Sequence, residues 1–193
     1  MGGASVETHS MRRLIVDSDR LVALQEGGQL VLTTKEEHYL FRVLRLNNDD
    51  RLEVRDGIGG QFQARVRDDQ TLELSPRTEL PSLIGPRIHL AFVPVKGKRM
   101  DILLEKATEL GVQEFHPLYT ERSVRRDSPN NTRWARIIRS ASQQCGTGHE
   151  PILHPGKSWG DWLKNNSIAQ HQLIASPNAA SMLQQVLPTD SPE

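Results

Sequence analysis

Six arginines, Arg122, Arg125, Arg126, Arg133, Arg136 and Arg139, fall between residues 122 and 139 against one acid, Asp127. A stripe of guanidinium groups matches phosphate oxygens in geometry, and each phosphate it neutralises releases condensed counterions. The alternative is a solvated helix face. A second set, His38, Arg42 and Arg45, is spaced i, i+4, i+7 and so shares one face of a helix. It either grips a phosphate backbone or is a solvated face with Arg42 or Arg45 paired to an acid such as Glu37 or Asp49. A third set, Lys96, Lys98 and Arg99, forms a basic turn, and a polar tip follows at Tyr119 to Ser123. His149, His154 and His171 lack metal-ligand spacing, and no metal is expected. Cys145 falls on a helical apolar spacing and reads as a small core residue rather than a nucleophile. Asp56 to Gly60 lies between two strand-like pieces and opens no helix, so it reads as a hairpin turn and not a phosphate loop.

Elements able to position these groups follow from periodicity. Met100, Leu103, Leu104, Ala107 and Leu110 line one helical face, and Gly111 is the stop signal. Ile88 to Val95 is a nearly continuous apolar run, as a strand covered on both sides would be, and Val112 to Leu118 carries the residues of another. The order strand, helix, strand predicts a βαβ unit of a parallel sheet. Its functional groups belong beyond the carboxyl ends of the strands, at Lys96 to Arg99 and Tyr119 to Ser123. A second helix is predicted from about Thr132 through Trp134, Ile137, Ile138, Ala141 and Cys145. Further on are a helix from Ser158 carrying Trp159, Trp162 and Leu163, a strand His171 to Ala175 and a helix Ala179 to Leu187. The three tryptophans read as core or interface anchors.

Before Leu80, short strands at Leu14 to Val16, Leu30 to Leu32, Arg51 to Val54, Gln61 to Val66 and Thr71 to Leu74 predict a small barrel. One helix interrupts them, opened by a Thr34 and Glu37 capping box, with Leu40, Val43 and Leu44 facing inward. Pro81 to Pro86 is a stiff connector and the expected domain boundary.

The 193 residues carry equal numbers of acidic and basic side chains, so global charge does not announce a nucleic-acid binder. No apolar run approaches the roughly 18 residues of a membrane span. A single cysteine forms no internal disulfide, in keeping with a reducing cytoplasm. Met1 to Ser10 is small and polar and reads as a tag remnant or extended start.

The pieces MRRL at Met11, HYLFRVLRL at His38, RDGIGGQFQARV at Arg55, EKATELGV at Glu105, PLYTERS at Pro117 and QQCG at Gln143, in this order, make the chain resemble the RsmE-type ribosomal RNA methyltransferases. The resemblance implies an α/β fold with an N-terminal β-barrel: a PUA-like RNA-binding barrel over 11–82, then an incomplete SPOUT (trefoil-knotted) parallel sheet over 87–193. The implied reaction is methyl transfer from S-adenosyl-L-methionine to N3 of a uridine in 16S ribosomal RNA, in the cytoplasm, by a homodimer. N3 lies on the pairing edge, so the base must be unpaired or extruded. The resemblance assigns RNA contacts to Arg12, Arg13, His38, Arg42, Arg45, Lys96, Lys98, Arg99 and Gln144. For that reaction Arg122 is the cation expected to stabilise the developing anion; the alternative for this residue is a structural ion pair with Glu121 or Glu109. Two departures stand out. The family's Glu-Gln, two variable residues and Arg become Gln143, Gln144 and Thr147, and the family's Gly-Pro-Glu-Gly-Gly and Leu-Arg-x-Glu-Thr-Ala-like segments do not occur within 193 residues. The cofactor-binding residues are therefore expected beyond Glu193, with weak or no methyl-donor binding and exposed apolar sheet surface. The alternative is a non-catalytic RNA-binding protein that uses the PUA-like barrel.

Overall fold

The computed structural model describes residues 12–67, 71–81, 85–121, 123, 131–165 and 171–186. Met11, Arg122, Arg125, Arg126 and part of the Pro81 to Pro86 connector lie outside these residues.

The first sheet holds β1 (Arg13–Ile15), β2 (Gly28–Val31), β3 (Arg51–Arg55), β4 (Gly60–Val66), β5 (Thr71–Leu74) and β6 (Thr78–Glu79). Their order is β1-β3-β4-β5-β2, with β6 beside the start of β4. Only β1 and β3 run parallel. Strict alternation in β4 buries Phe62, Ala64 and Val66 and turns Gln63 outward, as a two-residue side-chain period requires. These residues share one core with Leu14, Leu30, Leu52 and Leu72; full burial of each large side chain contributes roughly 1.5–3 kcal/mol. Among the described residues the strand path ends at β1 and β2 without pairing them, so the predicted barrel is an open sheet around a single core.

Helix α1 (Ser18–Leu21) places Leu21 in this core, while α2 (Thr34–Glu37) has no buried residue and leads into the turn that carries Leu40. The capping box forms one residue earlier than predicted: Thr33 N donates to Glu36 Oε2 at 2.7 Å and Glu36 N to Thr33 Oγ1 at 3.4 Å. The sequence Thr-Thr-Lys-Glu-Glu permits either register. Arg20 Nη1, 2.6 Å from Glu36 Oε1, holds Glu36 in place as the partner. From His38 to Val43 the helix widens to a π turn, with Leu44 N donating to Tyr39 O. Widening rotates later side chains away from the α-helical stripe. Leu40 is fully buried, whereas Val43, predicted to face inward, is exposed. Arg45 falls beyond the helix in the left-handed region, at φ 55°.

The second sheet is all parallel: β7 (His89–Phe92), β8 (Glu114–Tyr119), β9 (Ile152–Leu153) and β10 (Lys157–Ser158). β7 lies on one side of β8, and β9 and β10 follow one another along the other side. Helix α3 (Lys98–Glu109) connects β7 to β8, completing the predicted βαβ unit, and α4 (Asn131–Cys145) packs beside α3. Phe92, Phe115, Met100, Leu104, Trp134 and Ile138 form the core between them. α5 (Trp159–Asn165) covers the opposite face, where Trp162 lies 4.5 Å from His116. α6 is the short turn Leu183–Val186. Among the described residues no helix is long and apolar enough to cross a membrane.

Several expectations change here. The strand predicted over Ile88 to Val95 is confined to His89–Phe92, and Val93 and Val95, past the end of the strand pairing with β8, are exposed. Leu110 is 79% exposed, since the chain leaves the helix at that residue before Gly111 takes φ 87°. Thr108 fills the inward position instead, its hydroxyl donating to Leu104 O at 2.7 Å. Cys145, on the last turn of α4, is exposed and not a core residue. Trp134 is buried and Trp162 half-buried, but Trp159 is exposed. His171 to Ala175 is irregular and exposed, and the last predicted helix is reduced to α6.

Candidate functional site

Three regions carry the predicted cations. At the carboxyl edge of the parallel sheet, β7 runs into Val93 to Lys96 and turns at Gly97. The φ of 67° there suits a residue without a side chain and starts α3 at once. Lys96, Lys98 and Arg99 are all exposed on this turn. At the end of β8, Thr120 O accepts hydrogen bonds from Ser123 N and from Ser123 Oγ at 2.9 Å. β10 enters beside Tyr119, and Gly156 lies so close to the Tyr119 ring that a Cβ would come within 2.3 Å of it.

On the first sheet's side, His38 and Arg42 are exposed on the π turn and Arg45 is exposed just after it. The π geometry breaks the i, i+4, i+7 register, so the three do not share one α-helical face. Asp49, a candidate partner for these arginines, instead accepts from Arg65 Nη1 at 3.3 Å and Arg67 Nη1 at 3.0 Å. Among the described residues Arg42 and Arg45 have no ion-pair partner. Arg12 and Arg13 differ: Arg12 reaches Asp50 at 3.2 Å and Arg13 reaches Glu53 at 3.1 Å.

Where the two sheets meet, a buried ionic chain and a main-chain zipper join them. Arg55 Nη2 donates to Glu53 Oε2 at 2.9 Å, while Nη1 donates to the carbonyls of Gly146 and Thr147 just past α4. Arg139 on α4 donates to Asp17 Oδ1 at 2.7 Å and to Ile15 O at 2.9 Å. The Asp56 to Gly60 hairpin is held by Asp56 Oδ1, which accepts from Ile58 N and Gly60 N. Its tip docks on the other half: Gly59 N donates to Gly148 O at 3.0 Å and Glu150 N to Gly57 O at 2.9 Å. This glycine turn is thus a docking tip. Beside the seam, a cleft of about 760 Å³ is lined by Arg20, Lys35, Tyr39, Arg136, Arg139 and Gln143.

The arginine stripe divides accordingly. Arg133 is held by Asp101 at 2.5 Å and Arg139 belongs to the seam, while Arg136 donates to Thr132 O at 3.3 Å and lines the cleft. Gln144 is exposed at the end of α4. Thr147, which replaces an expected arginine, has a buried hydroxyl without a hydrogen-bond partner among the described residues. The sequence reading missed Arg55, Glu53 and Tyr39. Its one signal for the first two was the charge alternation Arg51, Glu53, Arg55 along a strand that also carries Leu52 and Val54.

Residues 84–191 match the family model described as the RNA methyltransferase domain, and residues 32–76 match the RNA methyltransferase PUA domain. The ribosomal RNA small subunit methyltransferase E of Synechocystis is 37% identical over 178 residues, which is 89% of this chain and 54% of that protein. The enzyme of the same name from Buchnera aphidicola of Acyrthosiphon pisum is 29% identical over 91% of this chain and 71% of its own. The chain thus spans about half the length of the Synechocystis relative. Among solved structures, a Legionella pneumophila protein with bound cofactor SAM superposes with a TM-score of 0.79 at 23% identity, over 91% of this chain and 74% of that one. The ribosomal RNA small subunit methyltransferase E of Neisseria gonorrhoeae, bound to S-adenosyl methionine, gives 0.70 at 26% identity, over 80% and 65%. With the family model spanning more than half of it and the fold shared with these structures, the chain belongs to the RsmE-type ribosomal RNA small subunit methyltransferase family.

Proposed function

We propose that this chain grips 16S ribosomal RNA within an S-adenosyl-L-methionine-dependent methyltransferase acting on uridine N3. The observation that carries the RNA-binding part is the pair Arg42 and Arg45, exposed beside a half-buried Tyr39 and left without an acid because Asp49 is engaged by Arg65 and Arg67. Unpaired guanidinium groups on a PUA-family surface are available to phosphate oxygens. Lys96, Lys98 and Arg99 offer a second contact at the carboxyl edge, where ligands of parallel sheets lie.

The described residues at that edge are cationic and open, which suits a phosphate and gives a sulfonium cofactor no enclosing pocket. They fit the RNA rather than the methyl donor. In this reading Arg122 stabilises the anion that forms as the uridine imide loses its proton, and Gln144 helps position the base. Arg12 and Arg13, bound to Asp50 and Glu53, contribute less to RNA affinity than Arg42 and Arg45.

The test is binding of 16S ribosomal RNA fragments over a salt series, together with transfer of labelled methyl from S-adenosylmethionine to small subunits and mass spectrometry of the product nucleoside. Each of Arg42→Ala and Arg45→Ala lowers the salt slope by about one. Unchanged slopes in the double variant would defeat the RNA assignment, and a methylated nucleoside other than 3-methyluridine would defeat the assigned atom.

A further inference from the structure

The second sheet carries a group of side chains that RNA binding does not use. His89 opens β7 and Glu114 opens β8, and the two are direct cross-strand partners. His116 lies two residues along β8, on the same face as Glu114. β9 pairs Phe115 with Leu153, which brings the next residue, His154, alongside His116. The imidazoles of His116 and His154 stack with centroids 4.2 Å apart, and Trp162 covers His116 from α5. Three strands thus converge on one carboxylate, away from the cationic carboxyl edge.

Apart from the contact between His154 and Glu114, the distances are not those of a tightly hydrogen-bonded cluster. His89 Nδ1, His116 Nε2 and Glu114 Oε2 are mutually 3.5 Å apart. Good N–H···O bonds lie nearer 2.9 Å, so three separations of this size leave the atoms poorly paired with one another. An equilateral triangle of that edge is, however, one face of a tetrahedron whose centre lies about 2.1 Å from each corner, the bond length of zinc to imidazole nitrogen and carboxylate oxygen. His154 Nε2, 2.7 Å from the same Oε2, supplies the outer hydrogen bond that ligating carboxylates commonly accept. Arg87, largely exposed, approaches only the other oxygen, at 3.8 Å.

We infer that His89, Glu114 and His116 form a binding site for a divalent transition-metal ion of the zinc class, with His154 orienting the carboxylate. Two imidazoles and one carboxylate suit a borderline cation better than calcium or magnesium, which take oxygen ligands. The ion ties β7 to β8 at their amino-terminal ends and, through His154, engages β9. Three protein ligands leave the fourth position to water, and the site lies away from Lys96, Lys98 and Arg99.

The experiment is calorimetric titration of the chelator-treated chain with zinc chloride, followed by cobalt(II) substitution read by visible absorption. One zinc per chain is expected, with a dissociation constant of micromolar or tighter, a raised melting temperature and a tetrahedral cobalt spectrum without thiolate charge transfer. His89→Ala and the isosteric Glu114→Gln each weaken binding by about a hundredfold or more and abolish the thermal shift, while His171→Ala and Cys145→Ser leave both unchanged. His89 is partly exposed, so its variant is expected to keep the native circular dichroism even where His116→Ala does not. Absence of stoichiometric zinc binding, retention of it in His89→Ala or Glu114→Gln, or its loss in Cys145→Ser would each overturn the site. RNA affinity measured alongside reports separately on the proposed function.

Discussion

Arg139 on α4 and Asp17, just after β1, are 122 residues apart in the chain and meet at 2.7 Å across the seam between the two sheets. The same guanidinium donates to Ile15 O, so one side chain ties the helix to the first strand by a charge and by a carbonyl. Arg139→Ala is expected to cost about 1 kcal/mol, since Asp17 is largely exposed and solvent screens the pair. The loss should loosen coupling between the halves more than either core. Urea unfolding followed by tryptophan fluorescence, which reports only on residues 134, 159 and 162, should then precede or lag the circular dichroism transition.

Arg55 presents the buried counterpart. Its guanidinium, 7% exposed, joins Glu53 to the carbonyls of Gly146 and Thr147. Arg55→Met should cost about 3 kcal/mol, because the carbonyls lose their donor and Glu53 keeps only Arg13. Adding Glu53→Gln should recover part of that loss. Urea midpoints of both single variants and the double variant measure the coupling.

Gly60 has no room for a side chain. A Cβ there would meet Arg77 Nε at 2.1 Å and Asp56 Oδ2 at 2.2 Å, atoms that are themselves paired. Gly60→Ala is therefore predicted to break the Arg77 to Asp56 bridge and lower stability by about 2 kcal/mol, whereas Gly160→Ala, in open space on a helix, should be neutral or slightly stabilising. Thermal melts of the two variants should separate clearly.

Glu150 carries a pH signature. Burial raises its carboxyl above the ordinary value, Arg139 opposes that shift and Asp17 reinforces it. A raised acid binds its proton more tightly when folded, so its ionised form costs stability at neutral pH and the cost is relieved as pH falls through the folded value. Glu150→Gln should be more stable than the parent at pH 7 by less than about 1 kcal/mol, and the difference should shrink towards pH 4. A difference that grows on acidification would contradict this assignment.

Much of the scaffold can be read from local pattern. The β3 to β4 hairpin, the βαβ unit and the Gly111 stop depend on neighbours a few residues away, and they appear where periodicity puts them. Val43 and Arg45 escaped because nothing in His38 to Val43 marks a π turn. Its hydrogen bonds are chosen by burial of Leu40 and Leu46, a tertiary effect. The seam escaped because its zipper is main chain and carries no side-chain signature. His89, Glu114 and His116 escaped because they become neighbours only when β7 and β8 align. Two hints were present: the alternation of Glu114 and His116, and His154 directly after an apolar pair. Of the predicted cations, the sequence pattern could show the basic turn of Lys96, Lys98 and Arg99, which is exposed, but not the break in register that separates Arg45 from His38 and Arg42.

The docking tip at Gly57 to Gly59 has a further consequence. Ile58 and His149 sit opposite one another in an antiparallel bridge while the bonds on either side run through backbone atoms alone. Substitution at either position leaves those bonds intact, but one inserted residue in the tip would slip the pairing and swing the whole first sheet relative to α4. The joint works like the jaw of a caliper: loop length, not composition, sets the gauge between the first sheet and α4.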